Sequence, residues 1–332
     1  LFVVLATTFA LTNLTSAKSA LLYAFCPTGL YSMVAANEYY YRKEIIFYIS
    51  MLSVCLIFSR WLSKPSRSLG RFLTAKIFAL SIVLPFVHEA FLFFGCFLFS
   101  LLLAVLNSKN TNRINSVVSS YIAVSLFLFA FLSVFKGDAT ISLAIWESIS
   151  ETTKLVTKSE ELSGAISAIG WTLSRGLSLS LNTIRSGLGT YYLFSILIIY
   201  LTVGFIFSEQ RNMRLQEVYL SKQLFIPFSL ITFSFLPLFV LGWDWGRWVM
   251  GIWYVSICIF FLKLDTLILE LTAKVLNVYR VRLALIVFPG LLFVSFITRV
   301  PECCFSGSGN SLLFNPALHY IKEMFKQLFG TL

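Results

Sequence analysis

The sequence predicts an all-α, polytopic integral membrane protein with about ten transmembrane helices and one longer external loop. Three observations carry this reading. Only 12% of the 332 residues are charged and 58% are hydrophobic, whereas a soluble domain carries about 25% charged residues. The apolar residues fall in long blocks rather than at helical or strand spacing, and only lipid can cover such surface. Basic residues gather in the short connections between the blocks, as retention on the cytoplasmic side requires.

A span needs about 20 apolar residues. On that criterion the elements lie at 1–13, 19–36, 44–62, 71–88, 89–106, 117–136, 190–208, 224–242, 247–262 and 283–299. The chain opens on Leu1, already inside an apolar run, so the first span is expected to be truncated at its N-terminus. The run from Phe72 to Leu106 is too long for one helix, and Pro85 with the polar pair His88-Glu89 divides it. Pro237 and Pro289 fall inside spans, where a kink is tolerated if neighbours satisfy the freed carbonyls. Residues 137–189 form the longer loop, in which Ile141, Ile145, Trp146 and Ile149 recur at helical spacing. This segment reads either as an interfacial helix with a linker or as a lid over a membrane-facing site. The whole chain, 1–332, otherwise reads as a single transmembrane helical domain.

The formal net charge is +11. In a soluble chain this would point to nucleic acid; confined to membrane connections it does not, and no nucleic-acid partner is expected. Arg60, Lys64, Arg67, Arg71 and Lys76 lie at 60–76, and Lys109 and Arg113 at 107–116. Arg211, Arg214 and Lys222 lie at 209–222, and Lys263, Lys274, Arg280 and Arg282 at 263–282. The spans above put all of them on one face, assigned to the cytoplasm. Cys26, Cys55, Cys96 and Cys258 sit in apolar runs as small hydrophobes. Cys303 and Cys304 are adjacent and have no second Cys or His pair, so no metal site is expected.

Charges at a membrane edge are expensive and mark candidate sites. Arg42-Lys43-Glu44 follows Tyr39-Tyr40-Tyr41 on the face opposite the basic loops, as an anion site or as an aromatic belt with snorkelling cations. His88-Glu89 suits acid–base work or a hydrogen bond to a sugar or phosphate; a helix-end bond to a carbonyl is the plainer account. In Gly242-Trp243-Asp244-Trp245-Gly246-Arg247-Trp248, Asp244 and Arg247 read as a pair that binds hydroxyls or phosphate, or as a structural turn. Trp243, Trp245 and Trp248 would offer ring faces to sugars. Arg175 and Arg185 precede a span and are weaker anion candidates, as is the Arg299–Glu302 stretch, while His319 in the C-terminal tail has no assigned role.

The order of these features resembles the bacterial O-antigen and exopolysaccharide polymerases (Wzy-like, EpsG-like). Members carry an external Arg at the start of a span, a basic cytoplasmic hairpin, then an external His; here these are Arg42, the 60–76 loop and His88. A later aromatic turn with Asp and Arg matches Trp243–Trp248. Arg42 is followed by Lys-Glu where Gln is common, and His88 by Glu-Ala where a small polar residue is usual. The resemblance implies a membrane glycosyltransferase of the bacterial inner membrane that joins lipid-linked repeat units at its outer face. It implies no nucleotide sugar and no cofactor. Implied partners are a polyprenyl-pyrophosphate-linked oligosaccharide, membrane lipid, and chain-length regulator or flippase proteins. Arg42, Lys43, Arg175 and Arg185 would bind substrate with the three Trp, and His88, Glu89, Asp244 and Arg247 would be catalytic. A lipid-linked glycan flippase or other transporter is the alternative, and a non-catalytic scaffold a third reading.

Overall fold

The computed structural model describes residues 2–14, 16–25, 44–87, 90–107, 111–134, 137–153, 172–185, 188–219, 221–241 and 245–272. Among them there is helix and turn and no strand. The helices are α1 (Phe2–Asn13), α2 (Ala17–Phe25), α3 (Glu44–Ser63), α4 (Arg67–Val87), α5 (Phe91–Leu106), α6 (Thr111–Val134) and α7 (Ala139–Thr153). They continue with α8 (Leu173–Arg185), α9 (Leu188–Arg211), α10 (Leu215–Tyr219), α11 (Lys222–Leu241), α12 (Trp245–Phe261) and α13 (Asp265–Thr272). The expected division at His88-Glu89 matches the end of α4 at Val87 and the start of α5 at Phe91.

Local chemistry starts the helices. Ser16, Ser66, Asp138, Thr172 and Ser221 each accept a backbone N–H from the residue three positions on, capping α2, α4, α7, α8 and α11. The ends of α9 and α12 share another device. Asn212 (φ 50°) and Lys263 (φ 56°) take the left-handed conformation. Met213 N–H donates to Ser208 O at 3.0 Å, and Leu264 N–H to Ile259 O at 2.9 Å, closing both helices in the Schellman manner.

α12 is the axis of the bundle. Every residue in it except Arg247 is buried, and it packs against α3, α5, α9 and α11. α6 lies outside, against α4 and α5. The surface is the reverse of a soluble protein's: Leu193 is 68% exposed, Phe233 68% and Phe127 67%, on α9, α11 and α6. An apolar exterior around an apolar interior is stable only in lipid.

Among the described residues, four helices are long and apolar enough to cross a membrane: Ile45–Ser63, Arg67–Val87, Tyr192–Arg211 and Lys222–Phe239. Phe91–Leu106, Ser116–Leu132 and Trp245–Phe261 are apolar but shorter. The expectation of ten spans is therefore met only in part. α1 has 12 residues and α2 has 9, and 283–299 lies outside the described residues, as do Cys26, Cys303, Cys304, Arg299, Glu302 and His319. A helix sheathed by protein, as α12 is, need not match the lipid in length.

Ring contacts give the direction of each helix. Phe47 of α3 meets Phe91 of α5 at 5.0 Å, Phe94 meets Trp248 of α12 at 6.0 Å, and Trp245 meets Tyr192 of α9 at 5.4 Å. α3, α5, α9 and α12 thus begin at one end, here called the near end. α11 runs the other way, since Phe239 close to its finish meets Trp245 at 5.3 Å. The far end holds the α3–α4 turn with Arg60, Lys64 and Arg67, together with Arg211, Arg214 and Lys263. Of the other basic residues that the sequence places on one face, Lys109, Lys274, Arg280 and Arg282 lie outside the described residues.

One contact tests the packing of α3 against α12. Cys55 and Cys258 are buried, and their thiols lie close enough to interact. Oxidation by iodine, which enters lipid, is expected to join them as a disulfide with reduction of I2 to iodide. After cleavage of the chain between α6 and α9, the two fragments should stay together on a non-reducing gel. Separation of the fragments, as in Cys55→Ser, would put α3 and α12 out of contact.

Candidate functional site

Of the residues singled out from sequence, Arg42, Lys43, His88, Glu89, Trp243 and Asp244 lie outside the described residues. Trp245, Arg247, Trp248, Arg175 and Arg185 lie within them. The three groups Arg42-Lys43, His88-Glu89 and Trp243-Asp244 come just before α3, α5 and α12 respectively. Those helix starts meet at the near end through Phe47, Phe91, Phe94 and Trp248. α9 adds a fourth start: a Cβ on Gly189 would lie 3.8 Å from the Trp245 ring.

This arrangement has an electrostatic consequence. A helix start carries unpaired N–H groups and about half a positive charge from the aligned peptide dipoles. Four such ends brought together favour an anion beside them. Arg247, in the first turn of α12, adds a full charge. It is half-buried, and its guanidinium lies 5.8 Å from the Trp248 ring centroid, within cation–π range.

The tryptophans behave differently from the sequence-based picture. Trp245 is 7% exposed and Trp248 3%. Their faces pack on Tyr192, Phe239 and Phe94, so they are not open platforms for sugar rings. The spacing of three Trp suggests stacking on sugars; for Trp245 and Trp248 aromatic neighbours on α5, α9 and α11 occupy that surface, and Trp243 lies outside the described residues. The buried indole Nε1 of Trp248 has no hydrogen-bond partner among the described residues. Arg175 and Arg185 are exposed on α8, and α8 packs on α9 and α11. Among the described residues no group of three or more His, Cys, Asp or Glu could hold a metal ion.

Two further features were not recognised from sequence. The first is at the far end, where Arg211 Nη2 donates to Asp265 Oδ1 at 2.9 Å and Oδ2 at 3.0 Å. Asp265 is fully buried and Arg211 is 25% exposed. Burial raises the Asp265 pKa, and the Arg211 charge pulls it back only in part. Arg211 also lies 5.4 Å from the Phe207 ring centroid, and the neighbouring Gln210 Nε2 donates to Asn13 O at 2.8 Å. The signal available was an Asp directly after a span, at the start of α13. The second lies inside the bundle, where Thr202 Oγ1, Trp253 Nε1 and Ser256 Oγ are buried with no hydrogen-bond partner among the described residues. Nothing in the sequence separates these from other core residues.

Comparison with known proteins found no family model, no curated protein and no solved structure that matches the chain.

Proposed function

We propose that the near end binds a pyrophosphate-linked glycan on a lipid carrier and that the chain polymerises such repeat units at the outer face of the bacterial inner membrane. The convergence of the helix starts that follow Arg42-Lys43, His88-Glu89 and Trp243-Asp244, with Arg247 among them, is the observation that supports this reading. In the reaction an acceptor sugar hydroxyl attacks the anomeric carbon of the donor. The new C–O bond forms as the bond to pyrophosphate breaks; the proton passes to His88 or Glu89, and the pyrophosphate departs on its lipid. Arg247 and Arg42 would neutralise the charge that grows on the leaving group. Trp245 and Trp248 would hold Arg247 in place rather than touch sugar.

The test is a gel of surface polysaccharide. Arg247→Ala is expected to replace the ladder of chain lengths by single repeats while the protein still inserts, a loss of about 100-fold or more in transfer rate. Arg247→Lys, which keeps charge but not the planar fork, is expected to give shortened chains. A normal ladder from Arg247→Ala would overturn the proposal. The flippase reading draws support from the unpartnered Thr202, Trp253 and Ser256 inside the bundle, because polar groups within a membrane protein can line a path. It predicts that loss of the protein accumulates lipid-linked unit on the cytoplasmic side instead of single repeats outside.

A further inference from the structure

α8 carries three distinct faces. Gly176 and Ser180, one turn apart, are buried, and the helix packs on α9 and α11. Leu177, Leu181 and Ile184 form a second face, about 100° around the helix, and are 42%, 42% and 57% exposed. Ser174, Ser178 and Asn182 occupy the third face and are exposed, with Arg175 and Arg185 at its two ends. A helix in water would not leave its leucines open beside a polar face that already serves as its wet side.

We propose that α8 lies in the plane of the membrane interface, with Leu177, Leu181 and Ile184 in the acyl region and Arg175 and Arg185 on the phosphates of anionic phospholipids. Several observations select lipid as the occupant of the leucine face. The helices that α8 packs on are themselves candidate spans, and they expose Leu193, Phe194, Phe233 and Leu236. The apolar surface of α8 therefore adjoins surface that lipid already covers. The segregation of apolar, polar and basic positions is that of an interfacial helix. Arg at the phosphate level gains charge-assisted hydrogen bonds while its stem stays in apolar surroundings. With 13 residues and a polar face, α8 is too short to cross. This inference rests on the membrane reading of the fold and is independent of glycan transfer.

The experiment uses the full chain in nanodiscs of phosphatidylcholine and phosphatidylglycerol, with the six native cysteines replaced. Spin labels are placed at Leu181→Cys, Leu177→Cys and Ser178→Cys. Labels at 181 and 177 are expected to collide more with oxygen than with a water-soluble nickel chelate, and the label at 178 the reverse. The depth parameter should therefore change sign between neighbouring faces. Changing Arg175 and Arg185 to Gln is expected to reduce the phosphatidylglycerol retained in native mass spectrometry by at least half. Shielding at 181 and 177 from both reagents would mean that protein, either a second copy or another segment, covers the face, and would overturn the proposal. Equal nickel access at all three positions would overturn it as well. Unchanged lipid retention would overturn the role of the arginines.

Discussion

Arg211→Ala is expected to destabilise the protein by about 3–5 kcal/mol, the cost of leaving a buried charge without its partner. Asp265→Asn is expected to cost less, about 1–3 kcal/mol. The asymmetry follows from exposure. Without Asp265, the guanidinium of Arg211 is 25% exposed and keeps both water and the Phe207 ring. Without Arg211, the Asp265 carboxylate has no route to solvent and must take up a proton. That gives the deficit a pH dependence of known sign. Burial already holds the Asp265 pKa above its usual 3.8. Its contribution to stability is thus fully present below 3.8 and declines as pH rises through the raised folded value. Removing Arg211 removes the opposing effect and moves the folded value further up. The Arg211→Ala deficit should therefore shrink when the medium is acidified from neutral pH. Denaturation midpoints in detergent at neutral and mildly acid pH measure this. Equal losses for the two variants, or a deficit that ignores pH, would refute the account.

Gly251→Val is expected to destabilise the central helix strongly. An alanine replacing a mid-helix glycine normally adds about 0.5–1 kcal/mol of stability. Here the sign reverses, because a Cβ at 251 would stand 2.6 Å from the Phe94 ring and still closer to Phe235. Those rings are themselves in edge contact at 5.1 Å, so a shift of either is opposed by the other. Overpacking of this kind costs about 1–3 kcal/mol for added methyl groups, and valine adds more than alanine. Gly251→Ala should lower the thermal midpoint and Gly251→Val should lower it further. Phe235→Leu combined with Gly251→Ala is expected to recover part of the loss by opening the space. If Gly251→Ala raises the midpoint, α12 is not wedged between α5 and α11.

The all-helical class was legible because long apolar blocks admit only one solution in lipid. The break between α4 and α5 was legible for a related reason: His88 and Glu89 cannot sit in the middle of an apolar run without a turn. Helix lengths were less so, since apolarity does not distinguish a helix that faces lipid from one enclosed by protein, as α12 is. At the candidate site, the sequence marks Arg247 through its charge beside a helix start. It does not reveal that Trp245 and Trp248 are buried, because that depends on Tyr192, Phe239 and Phe94, which are distant along the chain. Asp265 was passed over for the same reason. Its partner lies 54 positions earlier, and the packing of α9 on α12, with their closures at Asn212 and Lys263, brings the two together.

The Arg211–Asp265 pair also bears on the order in which the protein is built. Asn13 is made 197 residues before its partner Gln210, and Arg211 leaves the ribosome 54 residues before Asp265. During that interval Arg211 lacks its carboxylate, and a cation at the end of an apolar helix favours the aqueous face. The far end can close only when α12 has entered and α13 has begun. The seal thus joins early, middle and late parts of the chain, and its formation marks the moment at which the central helix is in place.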